Sequence, residues 1–159
     1  MSSIEKNTEG LQISVPKTTS VAIVKSRYNP EITDPLLESC QEELKKGGVL
    51  EENITVMEVP GAYELPLGCK NLIKTKRPDA VIALGAVIKG ETPHFDYICS
   101  AVSHGIMKIN LNMDTPVIFG ILTPNNIQQA KARIKNGAHG DKGKEAALSA
   151  LMMINNLTK

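Results

Sequence analysis

Short apolar runs alternate with longer amphipathic ones along this chain. Val21-Ala22-Ile23-Val24 reads as a strand and gives way to the polar stretch Lys25-Ser26-Arg27-Tyr28-Asn29. From Glu31 to Lys46, Leu36, Leu37, Cys40 and Leu44 recur at helical spacing with charges between them. Gly47-Gly48 can supply the positive φ of a helix C-cap. Proline is tolerated in a first helical turn, so Asp34-Pro35 puts the start of this helix later than Glu31. Asn53 to Val59 is a second strand, stopped by Pro60-Gly61, and a helix runs from about Tyr63 to Lys76 with Pro66 in its first turn.

The run Ala80 to Ile88 is apolar throughout, the pattern of a parallel strand buried on both faces. Lys89-Gly90-Glu91-Thr92-Pro93-His94 leads into a helix with a stripe of Ile98, Ala101, Val102, Gly105, Ile106 and Ile109. Pro116 to Leu122 is another buried strand. Helices follow over Asn126 to Lys135 and Lys142 to Leu157, separated by the glycine-rich stretch 136–141. This alternation predicts βαβ units, an α/β fold with a parallel sheet, and right-handed crossovers. Ligands in such sheets sit beyond the carboxyl ends of the strands, which selects the loops 25–29, 60–64, 88–94 and 122–126. No internal repeat or second domain is visible, so residues 1–159 are expected to form one domain, with 1–20 as an extended leader.

Composition narrows the function classes. A net charge of +1 gives no argument for nucleic acid or an anionic membrane as partner. The three cysteines are widely spaced and form no CxxC, so neither a disulfide framework nor a zinc site is readable. The first residues lack a signal-peptide pattern and no apolar run approaches membrane-spanning length, which together imply a cytoplasmic protein.

The chemistry-bearing segments are individually ambiguous. Thr92 is a good N-cap and Pro93 suits a first helical position, so the N–H groups of Gly90, Glu91 and Thr92 can converge where the helix dipole favours an anion. His94 in that first turn is placed to shuttle protons near neutral pH. Taken alone, this is also what an ordinary capped helix with a surface histidine looks like. Pro60-Gly61-Ala62-Tyr63-Glu64 offers free N–H groups and a carboxylate to a polyol, or is simply a Pro-Gly turn. Tyr28 offers a stacking face, or covers the core. Phe119 within an apolar strand is by default a packing residue, and Arg133 and Lys135 on a helix are by default a solvated face. The order of the segments carries the argument.

Arg-Tyr-Asn after the first strand, Pro-Gly-Ala-Tyr-Glu-Leu-Pro after the second and Gly-Ala-Val-Ile-Lys-Gly-Glu-Thr-Pro-His-Phe-Asp-Tyr at the third form an ordered series. With Pro-Val-Ile-Phe-Gly-Ile-Leu-Thr and Asp-Lys-Gly-Lys-Glu-Ala-Ala after them, it resembles the lumazine synthase family from about Val21 to Leu157. The resemblance implies a three-layer α/β/α sandwich on a four-stranded parallel, flavodoxin-like sheet. It implies an enzyme of riboflavin biosynthesis that condenses 5-amino-6-(D-ribitylamino)uracil with 3,4-dihydroxy-2-butanone 4-phosphate, without metal or organic cofactor. On that resemblance Tyr28 stacks on the pyrimidine with Asn29 beside it, and Ala62, Tyr63 and Glu64 hold the ribityl chain. Val87 and Ile88 line the ring site, and Phe119 of a neighbouring subunit closes it. Gly90, Glu91 and Thr92 cradle the phosphate with the neighbour's Arg133, His94 is the proton shuttle, and Lys142 and Glu145 lie at the periphery. A homopentamer with sites between subunits is implied, and the joining of pentamers into a sixty-subunit shell is left open. The same fold keeping a flavin without turnover, or a shell with a vestigial site, are the competing readings; His94 together with Arg133 argues for turnover.

Overall fold

The computed structural model describes residues 13–157. Its sheet has four parallel strands among the described residues, in the order β2-β1-β3-β4. These are β1 (Val21–Ser26), β2 (Ile54–Val59), β3 (Ala80–Ala86) and β4 (Val117–Leu122). The helices are α1 (Pro30–Lys46), α2 (Leu65–Lys76), α3 (His94–Asn112), the short α4 (Ile127–Lys131) and α5 (Lys142–Leu157). The expected three-layer α/β/α sandwich is therefore present.

Period-two alternation along the strands divides the apolar residues between two cores. Val21 and Ile23 of β1, with Ile82 and Leu84 of β3, pack under α1 and α5. Ala22 and Val24, with Val81 and Ala83, pack under α2 and α3. Every residue of β3 is buried, as its unbroken apolar run predicts. Full burial of Val81, Ile82 and Leu84 there contributes roughly 1.5–3 kcal/mol each. Cys40 and Cys69 are buried as small apolar groups, and burial pushes the Cys69 thiol up to about 12.

The structure moves several boundaries. Helix α1 begins at Pro30 and keeps Pro35 inside it, where a start nearer Asp34-Pro35 was expected. The first proline takes the opening position that suits it, and the N–H lacking at Pro35 would have bonded Glu31, which is exposed and can leave its carbonyl to water. The helix ends as expected, with Gly48 at φ 98° just past it. The expected helix over 126–135 stops at Lys131. Beyond it the chain folds into turns, closed by His139 N–H donating to Ala132 O at 2.7 Å and Lys142 N–H to Arg133 O at 2.9 Å. Of the expected leader, residues 1–12 lie outside the described residues. The rest is tied down: Val15 N–H donates to Gly47 O at 2.9 Å and Asn53 Nδ2 to Lys17 O at 2.9 Å.

Helices α1 and α5 approach so closely that a Cβ on Gly143 would land on the Leu36 carbonyl oxygen and the Ser39 hydroxyl. Neither backbone can retreat without opening the core between the helices. Gly143→Ala is thus expected to destabilise the fold by about 1–3 kcal/mol in urea unfolding. A variant as stable as its parent would show that this helix contact is not tight.

Candidate active site

The strand order reverses between β1 and β3, and the loops leaving these two strands bound a crevice at the carboxyl end of the sheet. Asn29 joins its two sides. Its backbone sits in the left-handed region at φ 58°, at the start of α1, and its side chain makes no capping bond. Instead Nδ2 donates to the carbonyl of Ala86, the last residue of β3, at 3.0 Å. Beside it Tyr28 is 66% exposed, an aromatic face turned to solvent at the crevice.

The 60–64 loop lies against Tyr28. Arg27 N–H donates to Val59 O at 2.9 Å and Tyr28 N–H to Pro60 O at 3.2 Å, so β1–β2 pairing continues into both loops. A Cβ on Gly61 would meet the Tyr28 ring at 3.0 Å and Glu64 Oε2 at 3.3 Å, so the missing side chain is what lets the ring lie there. Glu64 Oε2 accepts from Gly61 N–H at 2.9 Å, which holds the carboxylate back over its own turn. Ala62 is buried and Tyr63 exposed.

On the other side, Val87 and Ile88 are half-buried past the end of β3. Val87 N–H donates to Leu122 O at 2.8 Å and Lys89 N–H to Pro124 O at 3.0 Å. Gly90, Glu91, Thr92 and His94 are exposed, and nothing lies within 4 Å of a Cβ built on Gly90. The expected Thr92 cap is not made. Pro93 takes the N-cap position with helical backbone angles, its carbonyl accepting from Asp96 and Tyr97. A residue already in the helical conformation accepts those bonds through its own backbone, and the hydroxyl before it is left outside the turn. His94 is the first residue of α3, and its imidazole has no hydrogen-bond partner among the described residues. The N-terminus of that long helix favours negative charge beside it.

A second cluster adjoins it. A cleft of about 440 Å³ between β4, α4 and α5 is lined by Phe119, Gln129, Arg133, Lys142, Glu145 and Ser149 among others; it shares Leu122 and Pro124 with the crevice, but none of Tyr28, Asn29, Glu64, Gly90 or His94 lines it. Phe119, expected to be core by default, is 42% exposed, because β4 is an edge strand and no helix covers that position. Arg133 lies in the turn after α4, donating Nη1 to Gln129 O at 2.8 Å. Lys142 bonds both oxygens of the buried Glu145 carboxylate, at 2.8 and 2.7 Å. Lys135 is not merely solvated: it bonds Glu42 at 2.7 Å and Glu38 at 3.2 Å on α1, fixing the turn that carries Arg133. Among the described residues no group of three or more His, Cys, Asp or Glu could hold a metal ion, and no helix is long and apolar enough to cross a membrane.

Sequence reasoning missed one group. Lys25, on the inward face of β1, is almost wholly buried and bonds Asp34 of α1 and Glu58 of β2, the latter at 2.9 Å. Burial alone would lower its pKa, but the bonds to the two carboxylates outweigh that and hold it above the ordinary lysine value. The available signal was a lone charge on the inward phase of an apolar strand.

An open parallel sheet with polar loops gathered at its switch point is the arrangement of a small-molecule α/β enzyme. Over residues 18–158 the chain matches the model of the 6,7-dimethyl-8-ribityllumazine synthase family, and it belongs to that family. The protein of that name from Cytophaga hutchinsonii is 49% identical over 156 residues, covering 97% of this chain and 98% of the relative. Its counterpart from Parabacteroides distasonis is also 49% identical, over 144 residues and 89% of each chain. That from Phocaeicola vulgatus is 46% identical over 143 residues, 89% of this chain and 84% of the relative. The chain is accordingly an enzyme of riboflavin biosynthesis.

The Asn29 link carries both a rare backbone conformation and a cross-crevice bond. Asn29→Ala should lose about 1–3 kcal/mol, since a left-handed backbone disfavours alanine and the Ala86 carbonyl loses a donor. Asn29→Gly should recover the backbone part of that loss. Equal unfolding midpoints for the two variants would show that the left-handed conformation is not what asparagine supplies.

Proposed function

We propose that the chain condenses 5-amino-6-(D-ribitylamino)uracil with 3,4-dihydroxy-2-butanone 4-phosphate to form 6,7-dimethyl-8-(D-ribityl)lumazine. The observation that carries this reading is the gathering of Tyr28, Glu64, Val87 and the Gly90–His94 loop around one switch point in a chain of this family. The exposed Tyr28 ring stacks on the pyrimidine, with Asn29, Val87 and Ile88 around it. Ala62, Tyr63 and Glu64 hold the ribityl chain, whose hydroxyls suit a carboxylate and turn N–H groups. Gly90, Glu91 and Thr92 receive the phosphate at the N-terminal end of α3, where no side chain blocks Gly90.

The primary amine of the aminouracil adds to the butanone carbonyl and the adduct loses water to give an imine. A proton then leaves the adjacent carbon, an electron pair moves to form the enol, and phosphate departs from the next carbon. The enol becomes a ketone, the ribityl-bearing nitrogen attacks it, and loss of a second water closes the ring. His94 takes and returns protons in these steps, and it stands beside the loop assigned to the phosphate. Lys142 and Glu145 lie at the edge of the site. Holding two reactants in register lowers the barrier by up to about 7–11 kcal/mol in favourable systems. General acid–base help adds roughly 10²–10⁴-fold.

The site is assembled from two copies in this reading. Phe119, Arg133 and Lys142 line a cleft that none of Tyr28, Glu64 or His94 lines, which supports their completing a neighbour's site rather than their own. Exposed Leu67 of α2 and Tyr97, Met107 and Leu111 of α3 are further apolar surface suited to contact with another copy. A pentameric ring, whether or not it joins into a shell, satisfies this arrangement. The whole chain, 1–159, is one cytoplasmic domain in this reading.

Mixing purified protein with both substrates and following the fluorescent lumazine against a protein-free control tests the reaction. His94→Ala should slow turnover by about 10²–10⁴-fold without abolishing it. Arg133→Ala should raise KM for the phosphate substrate far more than for the aminouracil. Background rate in the parent protein would defeat the reaction, undiminished turnover in His94→Ala the shuttle, and equal KM effects in Arg133→Ala the anchor.

A further inference from the structure

Lys25 is the single charged residue in β1, and its side chain is 5% exposed. It shares the face of Val21 and Ile23, both of which sit in the apolar core beneath α1. Packing alone asks for an aliphatic side chain there. An ammonium group taken from water costs several kcal/mol unless it is well paired, so a buried ion pair is weak evidence of a stabilising role. Its use is better sought in the geometry it imposes.

That geometry is specific. Nζ bonds Asp34 and, at 2.9 Å, Glu58 Oε1, while Glu58 Oε2 lies 3.6 Å from Arg27 Nε. Asp34 belongs to α1, whose first residue follows Asn29, and Glu58 stands two residues before Pro60 in β2. Lys25 itself is three residues before Tyr28. One cation thus joins the three elements that deliver Tyr28, Asn29 and the 60–64 loop. Nothing in the network reaches the Gly90–His94 loop or the cleft around Arg133. Asp34 and Glu58 are about half exposed, at 60% and 49%, so both can be hydrated if the cation is lost.

We infer that Lys25 is a positioning residue for the aminouracil, clasping the Tyr28 and Glu64 loops in register while leaving the phosphate half of the site untouched. The inference rests on assigning those loops to the aminouracil. Lysine does not touch substrate; it acts through the two carboxylates.

Lys25→Met keeps the length and apolar stem of the side chain, so folding is expected to survive. Its KM for the aminouracil should rise roughly tenfold with kcat largely kept, the mark of lost ground-state positioning, while KM for the butanone phosphate stays within about twofold. Amide hydrogen exchange in the substrate-free protein should quicken at 27–29 and 60–64 and stay unchanged across β3. Lys25→Arg, which retains a cation between two carboxylates, should restore most of the aminouracil KM. Equal rises in both KM values, no rise in either, or unchanged exchange at the two loops would overturn the inference. Should the parent protein show no turnover, the proposed reaction fails, and the exchange measurement alone decides whether the clasp exists.

Discussion

The handedness of the β–helix–β connection is the constraint on which the rest of this structure depends. Right-handed strands feeding right-handed helices pack back onto the sheet in one sense only. The step from β1 to β2 runs one way along the sheet, so α1 lies on one face. The steps from β2 to β3 and from β3 to β4 run the other way, so α2 and α3 lie on the opposite face. The chain therefore leaves β1 and β3, which are neighbours, toward opposite sides. No helix can fill the space between those two exits. The crevice bridged by Asn29 follows from connectivity before any side chain is considered.

How much of this was legible in the sequence depended on how local its cause was. The all-apolar β3 and the Val102, Ile106 and Ile109 stripe of α3 announce themselves, because burial on two faces or one stripe leaves a direct pattern. The boundary errors arose where a local rule met a local alternative. Pro35 was read as a helix-starter because interior proline costs a hydrogen bond, yet Pro30 had already taken that position and Glu31 lies where water can serve it. A helix is expected as far as Lys135, up to the glycine-rich stretch, whereas the turn there is held by contacts with Ala132, Arg133 and the carboxylates of α1. The partners of Lys135 lie 97 and 93 positions away, and none of these contacts leaves a periodicity.

The site was legible in parts. Loops at strand ends could be chosen by topology, and the motif order supplied roles that no single motif carries. Lys25 gives no signal of its own because a charge at a strand end ordinarily turns to solvent; only the pairing phase set by Val21 and Ile23 shows that it turns inward. Asn29 was placed beside the ring, but its bond to Ala86 spans 57 positions of sequence and required the strand order to be known. Nor can a sequence separate the crevice from the cleft around Arg133, because β4, α4 and α5 meet to form that cleft only once the chain is folded.

The proposed condensation would draw its acceleration mainly from register, and such a reaction needs rigid loops more than strong acids or bases. The polar groups of this chain are distributed accordingly. Glu64 is tied to the Gly61 N–H, Asn29 to Ala86, Lys25 to two carboxylates and Lys135 to two more. By contrast His94, the group assigned to proton transfer, stands exposed at a helix end. Fixed loops and an exposed histidine are complementary in the proposed reaction: the first set distances before binding, and the second stays open to what binds beside the Gly90 loop.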